Sequence, residues 1–202
     1  MTLNKHEFRE MESLAQRYGV KWRMDSALFP CLPNPDSGGV PNRCSLVADR
    51  DATSMRPLDL RVPAREAAGL ESSNEARSRS LRDAYRKFQH RKRGDRLYTC
   101  GAGLTGFHID PYGTVQPCMM TAGYGVSLLD NGFAAAWEKV GRIRDVKEPS
   151  GYECNACDIQ PICSGCPAVF DLENGSPAAK SEYICALTQM RFESIQKQQK
   201  GT

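Results

Sequence analysis

Four cysteines crowd into the text CNACDIQPICSGC, with the spacing Cys154-x2-Cys157-x5-Cys163-x2-Cys166, and restrict this chain more than any other feature. A two-residue gap brings both sulfurs of a pair to one side of a tight turn. A short loop can then fold its thiolates around a metal ion or a cluster. A zinc ribbon sets its pairs about 15–20 residues apart so that each sits on its own knuckle, whereas the gap here is five. Four sulfurs this close can serve a single ion, but Cys100, Cys118 and Cys185 would then have no role. Cys31 and Cys44 bring the count to nine and read as structural or incidental thiols in a loop, with a substrate-loop or redox role as the alternative.

An odd number of cysteines in close pairs fits metal ligation better than a disulfide framework, provided the compartment is reducing. The opening text MTLNKHEFRE has no apolar core of a signal peptide. No run approaches the roughly 18 apolar residues of a membrane span. The expectation is a cytoplasmic protein without a membrane partner. The formal net charge is +3, and the basic residues gather only at Arg86, Lys87, Arg91, Lys92, Arg93 and Arg96. Such a run reads as one solvated helix face, and no nucleic-acid partner is expected.

With 202 residues and 40% hydrophobic content, the chain can build one core, or a small domain with an attached fragment. The patterning favours the second. Residues 3–18 carry Phe8, Met11, Leu14, Ala15 and Tyr18 at helical spacing, with Gly19 as a stop. In VKWRMD, the apolar Val20, Trp22 and Met24 alternate with polar neighbours and predict a strand. The text FPCLPNPDSGGVPNR reads as a long loop. A second helix is expected from Ser73 to about Gln89, with Leu81, Ala84, Tyr85 and Phe88 on one side. Residues 107–116 read as a hairpin turned by Pro111 and Gly113. DNGFAAAWEKV reads as a helix capped by Asp130, with Phe133, Trp137 and Val140 on one face. A last helix is expected from Pro177.

Cys100, Gly113 and Cys118, followed by the close four and then Cys185, resemble the seven-cysteine signature of the SPASM domain, a C-terminal extension of radical SAM enzymes. CGAGLTGFHIDPYGTVQPC is similar to the hairpin segment of that domain, and SLLDNGFAAAWEKV to the helix that follows it. The resemblance covers residues 97–190 and implies two [4Fe–4S] clusters. It assigns Cys154, Cys157, Cys163 and Cys185 to one cluster, and Cys100, Cys118 and Cys166 to the other. Members of the family carry a further cysteine where this chain has Gly106, which implies an open iron, a non-cysteine ligand or a site that does not assemble, with His108 the nearest alternative ligand. The Cys163-x2-Cys166 spacing also departs from the commoner x3.

Residues 1–70 resemble the end of a radical SAM barrel, where strand-end loops face the chemistry, so Arg23, Asp25 and Arg43 become candidate substrate contacts. The expected class is α+β: the end of a partial α/β barrel (1–70), a connecting helix (71–96), a small Cys-rich domain with a hairpin and short helices (97–190), and a polar tail (191–202). The Cys-x3-Cys-x2-Cys loop that binds S-adenosylmethionine in this family is missing from the sequence, so that cofactor is expected only in an intact parent enzyme.

Three functions follow from this reading. The chain is the auxiliary part of a peptide- or protein-modifying enzyme, with a peptide or protein substrate, a separate barrel subunit and a reductant such as ferredoxin or flavodoxin as partners. Alternatively, it is a stand-alone electron-transfer or peptide-binding protein, or a zinc-stabilised structural module.

Overall fold

The computed structural model describes residues 1–22, 24–30, 57–90, 94–121 and 123–200. The calls on Arg23, Cys31, Arg43, Cys44, Arg91, Lys92 and Arg93, and on most of the Pro/Gly-rich loop, lie outside those residues.

The first amphipathic pattern becomes a 3-10 turn at Lys5–Glu7 and helix α1 at Phe8–Arg17, which buries Phe8 and Ala15. Gly19, at φ 63°, stops it from a left-handed position that few other residues adopt at low cost. The expected strand does not follow. The described residues of 20–25 carry no ladder, and among the described residues no strand pairs with them. Trp22 instead lies on Phe8, with ring centroids 5.8 Å apart.

Helix α2, Ala64–Ser73, was not anticipated, since its apolar face is made mostly of alanines. Asn74 separates it from α3, Glu75–Phe88: its backbone is extended, and its side chain accepts the Arg77 N–H at 2.8 Å. Strands β1 (His108–Ile109), β2 (Thr114–Gln116) and β3 (Val126–Ser127) form an antiparallel sheet in that order, with His108 opposite Gln116 and Thr114 opposite Ser127. The hairpin falls where its turn residues placed it, and the Asp110 carboxylate closes the turn by accepting the N–H groups of Tyr112 and Thr114.

Helix α4, Leu128–Gly141, is capped by Ser127 and not by Asp130: the Ser127 hydroxyl accepts the Asp130 N–H. Gly132, at φ 69° and ψ 162°, kinks it after its first turn. Ala136 and Val140 enter the core, while Phe133 and Trp137 turn outward onto Phe107. Helix α5, Pro167–Asn174, starts on a first-turn proline and ends at left-handed Gly175. The last helix, α6, begins at Glu182, several residues beyond Pro177, because Ser181 supplies the cap by accepting the Ile184 N–H. It runs to Lys200, so residues 191–200 are helix and not a loose polar tail, and Arg191 and Ile195 are buried.

The fold is therefore α+β. Helices α2, α3 and α6 pack through Val62, Ala67, Ala68 and Leu187 on one side and Leu81, Ile162 and Ile195 on the other. The small sheet packs on α4 through Val115, Ala136 and Val140. Leu97, Tyr98, Ile143 and Ala168 join the two halves. Among the described residues, no helix is long and apolar enough to cross a membrane.

Candidate metal centre

Each cysteine of the pattern is held by short-range backbone geometry. Cys100 opens a tight loop in which the Gly101 carbonyl accepts the N–H groups of Leu104, Thr105 and Gly106. Gly103 lets that loop press onto the end of α4: its φ is +64°, and a Cβ there would meet the Val140 carbonyl oxygen at 2.8 Å. Cys118 follows β2. The Thr121 hydroxyl donates to the Cys118 carbonyl at 2.8 Å, and the Met120 N–H points at the Cys118 sulfur at 3.2 Å.

Cys154 and Cys157 flank a single 3-10 turn, and a second such turn, Gln160–Ile162, delivers Cys163. The Gly165 N–H donates to the Cys163 sulfur at 3.3 Å. Cys166 is the cap residue of α5, and Cys185 lies in the first turn of α6, its N–H on the Ser181 carbonyl.

All seven of these cysteines line one cavity of about 350 Å³, although they span residues 100 to 185. A single water needs only about 10–15 Å³ of such space, so the cavity admits a group many times that size. Leu97, Tyr98, Ile159, Ala168 and Phe170 supply apolar wall between the thiols. Cys100 is exposed and the other six are partly buried, so the cavity opens to solvent at Cys100.

The electrostatic neighbours of each thiol divide the set in two. Burial pushes the Cys166 thiol up and the Val169 and Ala168 N–H groups oppose this, while the thiols raising it are Cys100 and Cys118. Burial also raises Cys185, and here the thiols that add to it are Cys163, Cys154 and Cys157. Cys154 is raised by burial too; a hydrogen bond from the Tyr152 hydroxyl opposes the shift, while Cys163 and Cys157 add to it. The thiols that raise Cys154 and Cys185 thus come from Cys154, Cys157 and Cys163, whereas those that raise Cys166 are Cys100 and Cys118.

Tyr152 stands between the groups: burial raises its hydroxyl first, followed by Cys154, Cys166 and Cys163. Lys180, ion-paired with Glu153, is the cation near Cys154 and Cys185. Among the described residues, no three His, Cys, Asp or Glu side chains converge as a single bound ion would require.

No family model, curated protein or solved structure matches the chain.

His108 does not line the cavity; it sits in β1, paired with Gln116 across the hairpin. The residues of the wall nearest Cys118 include Thr121, buried and already engaged with the Cys118 backbone. Asp25 is exposed, and its carboxylate accepts the Ala27 N–H, a local turn contact. Sequence reasoning missed Tyr98, Tyr152, Thr121 and the N-terminus of α5 as parts of the site. Pro167, directly after Cys166, was the available signal for that helix start.

Proposed function

We propose that this chain is the iron–sulfur part of a radical SAM peptide- or protein-modifying enzyme, a SPASM-like domain whose seven clustered cysteines hold two [4Fe–4S] clusters. The observation that carries this reading is that those seven thiols line one cavity. The donor set fits the group: thiolates are the usual ligands of such clusters, and the cavity is far larger than one ion requires.

Cys154, Cys157, Cys163 and Cys185 would make a complete set of ligands. Cys100, Cys118 and Cys166 would make an incomplete one, on the side of the cavity where Cys100 meets solvent. When bound, such clusters accept and pass on single electrons. The chain's own residues prepare the place. The Ala168 and Val169 N–H groups at the start of α5 point at the Cys166 sulfur and favour its thiolate. The Tyr152 hydroxyl and Lys180 do the same for Cys154. The apolar wall of Leu97, Ile159 and Phe170 excludes water from the deeper thiols. The open side leaves room for a peptide to approach the three-thiol group.

Anaerobic purification with iron and sulfide quantitation tests the proposal. About eight irons per chain and a brown chromophore are expected. A colourless protein holding stoichiometric zinc would overturn it in favour of a structural module.

A further inference from the structure

The largest fully buried side chain among the described residues is a charged one outside the cavity. Arg191 on α6 and Glu71 on α2 each have side chains only 1% exposed. Arg191 Nε donates to Glu71 Oε2 and Nη2 to Oε1, both at 2.6 Å, a bidentate fork. Glu71 also accepts the Ser26 hydroxyl at 2.6 Å and Arg77 Nη2 at 3.2 Å. Burying such a pair is expensive, and packed apolar residues often stabilise a fold as well or better. The remaining nitrogen of the guanidinium indicates what this pair does.

Arg191 Nη1 donates to the Ile162 carbonyl at 3.0 Å and to the Ser164 hydroxyl at 2.7 Å. These residues bracket Cys163, and Ser164 and Gly165 are the only residues between Cys163 and Cys166. In the proposed assignment Cys163 belongs to the group of four thiols and Cys166 to the group of three; Cys163 is among the thiols that raise Cys185, whereas those that raise Cys166 are Cys100 and Cys118. The Ser164 contact therefore falls on the two-residue link where the chain passes from one group to the other, and the Ile162 contact fixes the backbone just before Cys163. Gly165 is closely approached by Phe170: a Cβ there would meet the Phe170 ring at 2.7 Å.

We propose that Arg191 is a positioning residue for the paired thiol groups, held by Glu71 and acting through Ser164 to set the spacing of Cys163 and Cys166. Lysine cannot replace it, since a point charge lacks the fork that grips Glu71 while reaching the link. The inference extends the proposed function, but its primary test needs no cluster.

Ser164→Ala removes only the side-chain contact to the link and leaves the Arg191 to Glu71 fork in place. The full chain, treated with a chelator, is labelled with an alkylating reagent and each cysteine is followed by mass spectrometry. Ser164→Ala and Arg191→Lys are expected to speed labelling of Cys163 and Cys166 severalfold, with Cys100 and Cys118 unchanged and Ser164→Ala melting like the parent. Equal acceleration at every cysteine in Ser164→Ala, or no acceleration at Cys163 and Cys166, would overturn the assignment. In anaerobically isolated protein, Ser164→Ala is expected to keep its iron but change the magnetic coupling between the two reduced clusters; unchanged coupling counts against the proposal. Zinc in place of iron, together with selective labelling, would sink the iron–sulfur reading and leave the positioning role standing.

Discussion

On the proposed assignment the two groups of thiols differ in how completely each would be supplied, and single substitutions should expose this. Cys157→Ala would remove one ligand from the proposed complete group; about four irons per chain should be lost, and thermal stability should fall with them, because ligand formation supplies folding free energy in small metal domains. His108 lies off the cavity wall, so His108→Ala should leave iron content unchanged; a loss would bring that side chain back as a ligand. These expectations rest on residues that the sequence already singled out. The cysteines were legible because ligand chemistry permits few alternatives to a sulfur at a fixed spacing. Tyr152 and Thr121 were not legible, since a tyrosine or threonine is equally at home in an ordinary core.

At the scale of elements, helix and hairpin signals survived wherever local chemistry was sufficient. The hairpin at β1 and β2 needs only Asp110, a turn and Gly113, all within a few residues. The stretch at 20–25 shows the opposite case: its alternation of apolar and polar residues is real, but a strand exists only with a partner. Helix starts were misplaced by a few residues: Ser127 caps α4 in place of Asp130, and α6 begins after Ser181 and not at Pro177, because several residues in each stretch were competent to start a helix. Two substitutions separate strain from capping. Gly103→Ala places a Cβ against the Val140 carbonyl in a left-handed conformation and should cost about 1–3 kcal/mol in denaturant unfolding. Asn74→Ala loses the cap of α3 and should cost about 1 kcal/mol by the same measurement.

Across the whole molecule, two arginine–glutamate forks join segments distant in sequence. Arg61 pairs with Glu173 at 2.7 Å, as Arg191 pairs with Glu71 at 2.6 Å, and both tie the residues around α2 to the cysteine-bearing half. Burial pushes the Glu71 carboxyl up, yet the hydrogen bond and charge of Arg191, with Ser26 and Arg77, hold it below its ordinary value of 4.5. Glu173 is held down in the same direction by Arg61 and Ser181 against its own burial. A carboxyl whose folded pKa is depressed contributes stability that is fully present above its unfolded pKa and is lost as pH falls through the folded one. Stability should therefore decline below about pH 4.5, and in Glu71→Gln that decline should be shallower from a lower neutral-pH baseline, as melting curves across pH will read. Glu71→Ala, which strands a buried guanidinium, should cost about 3–5 kcal/mol at neutral pH. By itself the sequence determined which cysteines to consider together, the hairpin and the course of most helices, because each depends on residues near one another or on chemistry that few side chains perform. Only the tertiary structure decided that residues 100 to 185 meet around one cavity, that the apparent tail is a buried helix, and that Arg191 reaches the link between Cys163 and Cys166. Those outcomes rest on contacts between segments far apart along the chain, which local periodicity and spacing do not encode.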